Sequence, residues 1–337
     1  MEFLVWGAGA IGGTIGAYLA QAGHQVVFVD RAAEHVAAIN SDGLRITGPI
    51  DEFTVQAPAY TPDTLTGEYT TILLCVKAQD TEAATRSLVR YLRDDGCVVS
   101  VQNGLNELII RQIVGPERTV GAFVNFGADY LEPGLILYGG RGAVVLGEID
   151  GRMTRRLDAL HAAFLDFDAD AITTDNIWGY LWGKLAYGAQ LFATALTNDS
   201  IADSLATLRY RDLYIAVAQE VMRVAQAQGI QPEAFNGFNP LAFLPDTPRE
   251  VSLQSLDDMT AHNRKSAKTH SGIWRDLAVR KRKTEADAQL GPIIEAGVRV
   301  GVPTPLTARM KELIHEIEEG KRLQSTENLD VLMGLIA

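Results

Sequence analysis

Glu2-Phe-Leu-Val-Trp6 runs directly into Gly7-Ala-Gly-Ala-Ile-Gly12, and Gln25-Val-Val-Phe-Val29 follows a helical stretch that ends at Ala22 and Gly23. A short apolar run bounded by glycine reads as a buried strand. Strand, glycine-rich turn, helix and second strand, all within roughly thirty residues, make a βαβ unit, which joins parallel strands. The glycines fit G-x-G-x-x-G, and each position has its reason. Gly7 permits the tight strand-to-helix turn, Gly9 lets the backbone approach a pyrophosphate, and Gly12 allows the helix to pack closely on the strand. The helix start at Ala10 and Ile11 then offers unpaired N–H groups and a positive dipole end to the phosphates. Asp30 closes the second strand, where a carboxylate accepts hydrogen bonds from the adenosine ribose hydroxyls. The unit therefore predicts dinucleotide binding through Gly7, Gly9, Ala10, Ile11, Gly12 and Asp30. Asp30 repels a 2′-phosphate and favours NAD; Arg31 beside it can hold that phosphate, so NADP stays open.

Outward from this unit, apolar runs at 70–76, 97–101 and 119–123 read as further strands, with helices at 80–93 and 105–113. This alternation extends a parallel sheet. Past residue 125, Glu132-Pro-Gly-Leu135 is a turn between β-rich runs, and Gly139-Gly-Arg-Gly142 leads into 143–147. Together they predict a hairpin-rich edge. A last β-like run at 171–174 precedes Asp175, an expected N-cap. Helices are then predicted at 176–196, 208–228, 247–280, 286–300 and 306–320, broken at Gly229, Pro240, Pro245 and Gly301-Val-Pro-Thr-Pro305. The expected division is an α/β domain over 1–174 and an all-α domain over 175–337. A length of 337 residues accommodates two such domains.

Composition narrows the function. The chain has 30 Lys+Arg against 42 Asp+Glu, a net charge of −12, which argues against nucleic acid as a partner. No run approaches the ~18 apolar residues of a membrane span, and the glycine-rich start has no basic n-region ahead of it. Two cysteines make no disulfide framework, so a cytoplasmic protein is expected. Cys75 and Cys97 fall in strands as core residues. The six histidines have no metal-ligand spacing, and neither a G-x-S-x-G elbow nor a Walker lysine is present.

The helix at 176–196 carries Ile177, Leu181, Lys184, Leu185, Gly188, Leu191 and Ala195 on one face, which puts Lys184 inside the apolar stripe. Two outcomes are open. The lysine snorkels out along its stem, or it stays desolvated, loses proton affinity and serves as a proton donor near pH 7. Gly188, one turn on, leaves room for a ligand. Lys77 and Asn103 lie past the C-terminal ends of two strands, where open α/β sheets bind ligands; each is equally readable as a loop lysine or an Asn-Gly turn. In Thr284-Glu-Ala-Asp287, capping accounts for Thr284 and Asp287 and leaves Glu285 for another task. Arg264, Lys265, Lys268, Arg275, Arg280, Lys281, Arg282 and Lys283 form a solvated basic face or a patch that steers an anion.

These pieces together resemble the ketopantoate reductase (2-dehydropantoate 2-reductase) family over essentially the full length. The matching segments are Gly7-Ala-Gly-Ala-Ile-Gly12, Cys75-Val-Lys-Ala78, Gln102-Asn-Gly104, Glu132-Pro-Gly134, Trp182-Gly-Lys-Leu185 and Arg282-Lys-Thr-Glu-Ala-Asp287, in matching order and spacing. The resemblance implies an α/β Rossmann-type dinucleotide-binding domain followed by an all-α domain, and reduction of a small anionic 2-oxo acid to the (R)-2-hydroxy acid with NAD or NADP. It implies that Lys184 is the general acid, that Glu285 supports it, that Asn103 lies near nicotinamide and substrate, and that Lys77 lies on the cofactor side. A homodimer is expected. This chain departs from the pattern where the family carries asparagines, with Gly188 and Phe192 in their place. It departs again at His270-Ser-Gly-Ile-Trp-Arg275 and at the Asp30–Arg31 pair; Ser271 or Asn103 is the expected contact for the substrate carboxylate. A less polar pocket follows, and with it a substrate other than ketopantoate. The rival expectations are a genuine ketopantoate reductase and a non-catalytic dinucleotide sensor.

Overall fold

In the computed structural model, which describes every residue except 236, 266–268 and 337, two units separate: Met1–Ile177 and Trp178–Ala337. The first begins as its sequence predicts, with β1 (Glu2–Trp6), α1 (Ala10–Gln21) and β2 (Gln25–Val29). Then come α2 (Ala33–Asp42), β3 (Leu44–Thr47), β4 (Phe53–Val55), β5 (Ala59–Tyr60), β6 (Tyr69–Leu74), α3 (Thr81–Leu88), β7 (Leu92–Ser100), α4 (Glu107–Val114) and β8 (Thr119–Val124). β9 (Gly127–Glu132), β10 (Leu135–Gly140), β11 (Val144–Glu148), α5 (Arg155–Phe164) and β12 (Ile172–Thr173) complete the unit.

Eight strands form one sheet in the order β12-β11-β8-β7-β6-β1-β2-β5. From β5 to β8 every neighbouring pair is parallel, and only β11 runs against β8. The run β5-β2-β1-β6-β7-β8 is the doubly wound order 3-2-1-4-5-6, whose chain direction reverses beside the first strand. β1 is buried on both faces, as a central parallel strand must be. Phe3 and Val5 join the core with Ile15, Leu19 and Phe164, and Leu4 and Trp6 join the opposite one with Leu88, Ile110 and Val114.

The β9–β10 hairpin is not an edge of this sheet. It belongs to a separate four-stranded sheet, β4-β3-β10-β9, in which β10 pairs in parallel with β3. α5 is capped by Thr154, whose hydroxyl accepts the Leu157 N–H at 3.1 Å.

The second unit is helical: α6 (Ile177–Thr194, whose first residue closes the first unit), α7 (Ile201–Ala206), α8 (Arg211–Ala227), α9 (Arg249–Lys265), α10 (Gly272–Ala278), α11 (Ala286–Val300), α12 (Pro305–Glu318) and α13 (Glu327–Met333). α6 starts two residues after Asp175, and the local turn is closed by Thr174, whose hydroxyl accepts the Asn176 N–H at 2.9 Å. The continuous helix expected over 247–280 is two helices. Ser271 starts the second one by accepting the Trp274 N–H at 3.1 Å. Gly301 closes α11 in the left-handed region at φ 71°. No helix among the described residues is long and apolar enough to cross a membrane.

Candidate functional site

The loops that leave β1 and β6 meet at the point where the strand order reverses. Gly7 has φ +103°, and a Cβ there would lie 2.9 Å from the Cys75 carbonyl carbon and the Val76 nitrogen, so only glycine fits. At Gly12 a Cβ would collide with the Gly7 carbonyl oxygen and crowd the Cys75 Cβ at 2.7 Å. Gly9 differs: a Cβ there would meet nothing within 4 Å. The backbone is closed behind the loop and open at its crest. α1 starts at this crest with Gly9 as N-cap, no side chain capping it and no acidic residue in its first turn. Its leading N–H groups and dipole thus meet the conditions for a phosphate.

Asp30 stands half-buried at the end of β2, tied to this loop. Its Oδ2 accepts the Ala8 N–H at 3.0 Å and its Oδ1 accepts the Ala32 N–H at 3.0 Å. Arg31 is exposed, with its guanidinium 3.6 Å from the Asp80 carboxylate on the loop after β6.

Nothing in the sequence around His35 signals a role for it beyond its lack of metal-ligand spacing. It is 1% exposed on α2. Its Nδ1 accepts the Gly134 N–H at 2.9 Å, so Nε2 carries the proton and donates to the Ala8 carbonyl at 2.8 Å. One ring thus pins the glycine loop to the turn of the β9–β10 hairpin.

Lys77 and Asn103 are both exposed on the loops that follow β6 and β7, at the C-terminal edge of the sheet where the glycine loop also sits.

In the helical unit, α6 is buried nearly all round. Apart from Trp178 in its first turn, its half-exposed positions, Tyr180, Lys184, Tyr187, Gly188 and Leu191, recur every three or four residues and form one line along the helix. Lys184 lies on that line, while its neighbours Leu181, Trp182 and Leu185 are in the core. The periodicity places it among the buried residues. It belongs instead to the one accessible stripe of an almost wholly buried helix. Gly188 is next on the stripe, and a Cβ there would meet only the Gln289 Oε1, at 3.7 Å. Phe192 is fully buried and so presents nothing to a ligand.

Glu285 is half-buried at the N-cap of α11. Its approach is held from two sides. Thr284 donates both its N–H and its hydroxyl to Glu318 Oε1, at 2.7 and 2.8 Å. Upstream, the buried Asp276 binds Arg280 at 3.0 Å and Arg282 at 2.9 Å, and Lys281 between them takes φ 50°. These two arginines of the basic run share one carboxylate, which offsets half of their charge; Lys268 lies outside the described residues. Asp287 meets Lys311 and His315, each at 3.2 Å. Ser271 is 4% exposed and its hydroxyl is engaged in the α10 cap. A separate groove lined by Phe235, Phe238, Ala242, Glu250, Val251 and Asp258 contains none of the expected site residues.

Comparison with known proteins matches both units. Residues 3–151 match the family model described as ketopantoate reductase PanE/ApbA, and residues 176–318 match its C-terminal counterpart. A 2-dehydropantoate 2-reductase of Pyrococcus abyssi is 29% identical over 96% of this chain and 100% of its own length. Among solved structures, a PanE/ApbA family ketopantoate reductase from Ralstonia eutropha superposes with TM-score 0.79 at 26% identity, covering 95% of this chain and 99% of that one. D-mandelate dehydrogenase, solved with NADH and anilino(oxo)acetate, shares the fold with TM-score 0.81 at 23% identity, over 95% of this chain and 99% of that one.

Proposed function

The chain belongs to the ketopantoate reductase PanE/ApbA family, and from that premise we propose that it is an NAD(P)H-dependent oxidoreductase that reduces the carbonyl of a 2-oxo acid to a 2-hydroxy acid. The observation that carries this is Lys184, the one lysine of α6, set on the accessible stripe of a helix that is otherwise core. The next turn of the helix brings Gly188 to the same stripe, where no side chain stands beside the lysine.

The first unit is the cofactor domain in this account. Gly7, Gly9, Ala10, Ile11 and Gly12 would hold the pyrophosphate and Asp30 the adenosine ribose, with Lys77 on the same side. The uncapped start of α1 and the open crest at Gly9 fit that group. When bound, the nicotinamide supplies the hydride. Everything else falls to the protein. Lys184 Nζ gives a proton to the oxygen that was the carbonyl, Glu285 holds the lysine for that transfer, and the Asn103 side chain orients the oxo acid. Ser271, whose hydroxyl accepts the Trp274 N–H in its cap, keeps its own proton and would give it to the substrate carboxylate.

Asp30 favours NAD, while Arg31, whose ion pair with Asp80 is exposed and of little strength, remains available to a 2′-phosphate. Gly188 leaves space beside Lys184, which supports a 2-oxo acid with a side chain larger than that of pyruvate; ketopantoate is one such acid. The test is a titration with NADH and NADPH followed by turnover on a panel of 2-oxo acids that includes ketopantoate. Oxidation of either cofactor by at least one acid is expected. Binding without turnover on any acid would overturn the enzyme in favour of a dinucleotide sensor.

A further inference from the structure

Beneath the loops that carry Lys77 and Asn103 runs a chain of buried side chains that the proposed mechanism does not use. Gln102 Nε2 donates to the Val76 carbonyl at 2.9 Å and to the Thr81 hydroxyl at 2.8 Å. The Thr81 hydroxyl donates to Asn106 Oδ1 at 2.9 Å, and Asn106 Nδ2 donates to the Asn103 carbonyl at 2.8 Å. Thr81 is 0%, Asn106 2% and Gln102 6% exposed.

The donor count fixes the direction of every bond. Both acceptors at the Gln102 end take an N–H, so its amide nitrogen must face them. With one N–H arriving, the Thr81 hydroxyl has its single proton to give, and Asn106 Oδ1 is there to take it. The Asn106 nitrogen is then the only group left for the Asn103 carbonyl. Reversing either amide sets like against like in a dry site, where an unpaired polar group is costly.

The relay ends on two backbone carbonyls. One belongs to Val76, which precedes Lys77; the other belongs to Asn103 itself. Those two loops follow adjacent parallel strands, β6 and β7, and Thr81 is also the first residue of α3. We infer that Thr81 is a positioning residue: its hydroxyl joins the two halves of the relay and sets the spacing between the Lys77 and Asn103 backbones. This rests on the roles proposed above for Lys77 and Asn103.

Thr81→Val removes the hydroxyl and keeps the shape, and Thr81→Ser keeps the hydroxyl. Asn106→Ala cuts the relay at its far end, in case the valine variant fails to fold. Each is measured well below its melting point, for NADH and NADPH affinity by direct binding and for kcat and KM on the best 2-oxo acid. The valine and Asn106→Ala variants are expected to lose about 10- to 100-fold in kcat and about 10-fold in cofactor affinity, while the serine variant stays near the native protein. A folded Thr81→Val protein with a lower melting temperature but native kcat and cofactor affinity would overturn the inference. So would a serine variant as impaired as the valine one. If the native protein turns over no 2-oxo acid, the functional proposal fails, and the valine–serine difference in cofactor affinity still decides the role of Thr81.

Discussion

A methyl group at Gly9 would touch nothing, and one at Gly12 would strike the Gly7 carbonyl. The same substitution at these two positions of one motif therefore has opposite consequences. Gly9→Ala is expected to keep native stability and lose cofactor affinity by about 10-fold or more, because only a bound pyrophosphate comes close to that backbone. Gly12→Ala is expected to cost about 3 kcal/mol of stability, since backbone and not a flexible side chain stands in the way. Urea denaturation and cofactor titration of both variants check this. A second residue-scale prediction concerns Glu107, which is fully buried in the first turn of α4 with neither carboxyl oxygen hydrogen-bonded among the described residues. Burial pushes its pKa up to about 7. A raised carboxyl contributes its full stability below the unfolded value near pH 4.5 and loses it as pH climbs through 7, a difference of roughly 3 kcal/mol. Glu107→Gln should flatten stability between pH 5 and 8; a variant whose curve stays parallel to the native one contradicts this. The glycine turn and the place of Asp30 at the end of β2 were legible in the sequence because spacing alone defines them. Glu107 and His35 were not, because nothing in the chain near them announces which distant backbone groups they will meet.

Elements in this chain are recognisable where one period holds over their whole length. β1, β2 and α11 fall where their patterns place them. β3 and β4, of four and three residues, alternate with polar positions and are too short for a pattern to emerge, and so the second sheet was unforeseen. With β3 unseen, the hairpin had no partner but the main sheet. α6 misled for a different reason. A moment-based reading assumes one wet face, and this helix has only a narrow accessible line. The start of α12 offers a test at this scale. Glu220 of α8, buried, accepts the Leu306 N–H at 3.0 Å, the Thr307 N–H at 2.7 Å and the Thr307 hydroxyl at 2.6 Å. Glu220→Ala orphans all three donors and should destabilise by about 4 kcal/mol, with Glu220→Gln losing clearly less. Equal losses for the two variants would mean that packing, not this cap, holds the helix.

Across the whole molecule, a net charge of −12 coexists with an anionic substrate class, and local arrangements resolve the tension. Lys77, Lys184 and the uncapped start of α1 supply positive ends where the account needs them, while Arg280 and Arg282 share the one carboxylate of Asp276. On the proposed roles, the cofactor falls to the first unit and the proton to the second. Lys184→Ala separates those tasks most directly, measured as kcat on the best 2-oxo acid alongside NADH and NADPH affinity. The account predicts a fall in kcat of about 100-fold or more with cofactor affinity within a factor of about three of native. Near-native turnover in that variant would contradict it.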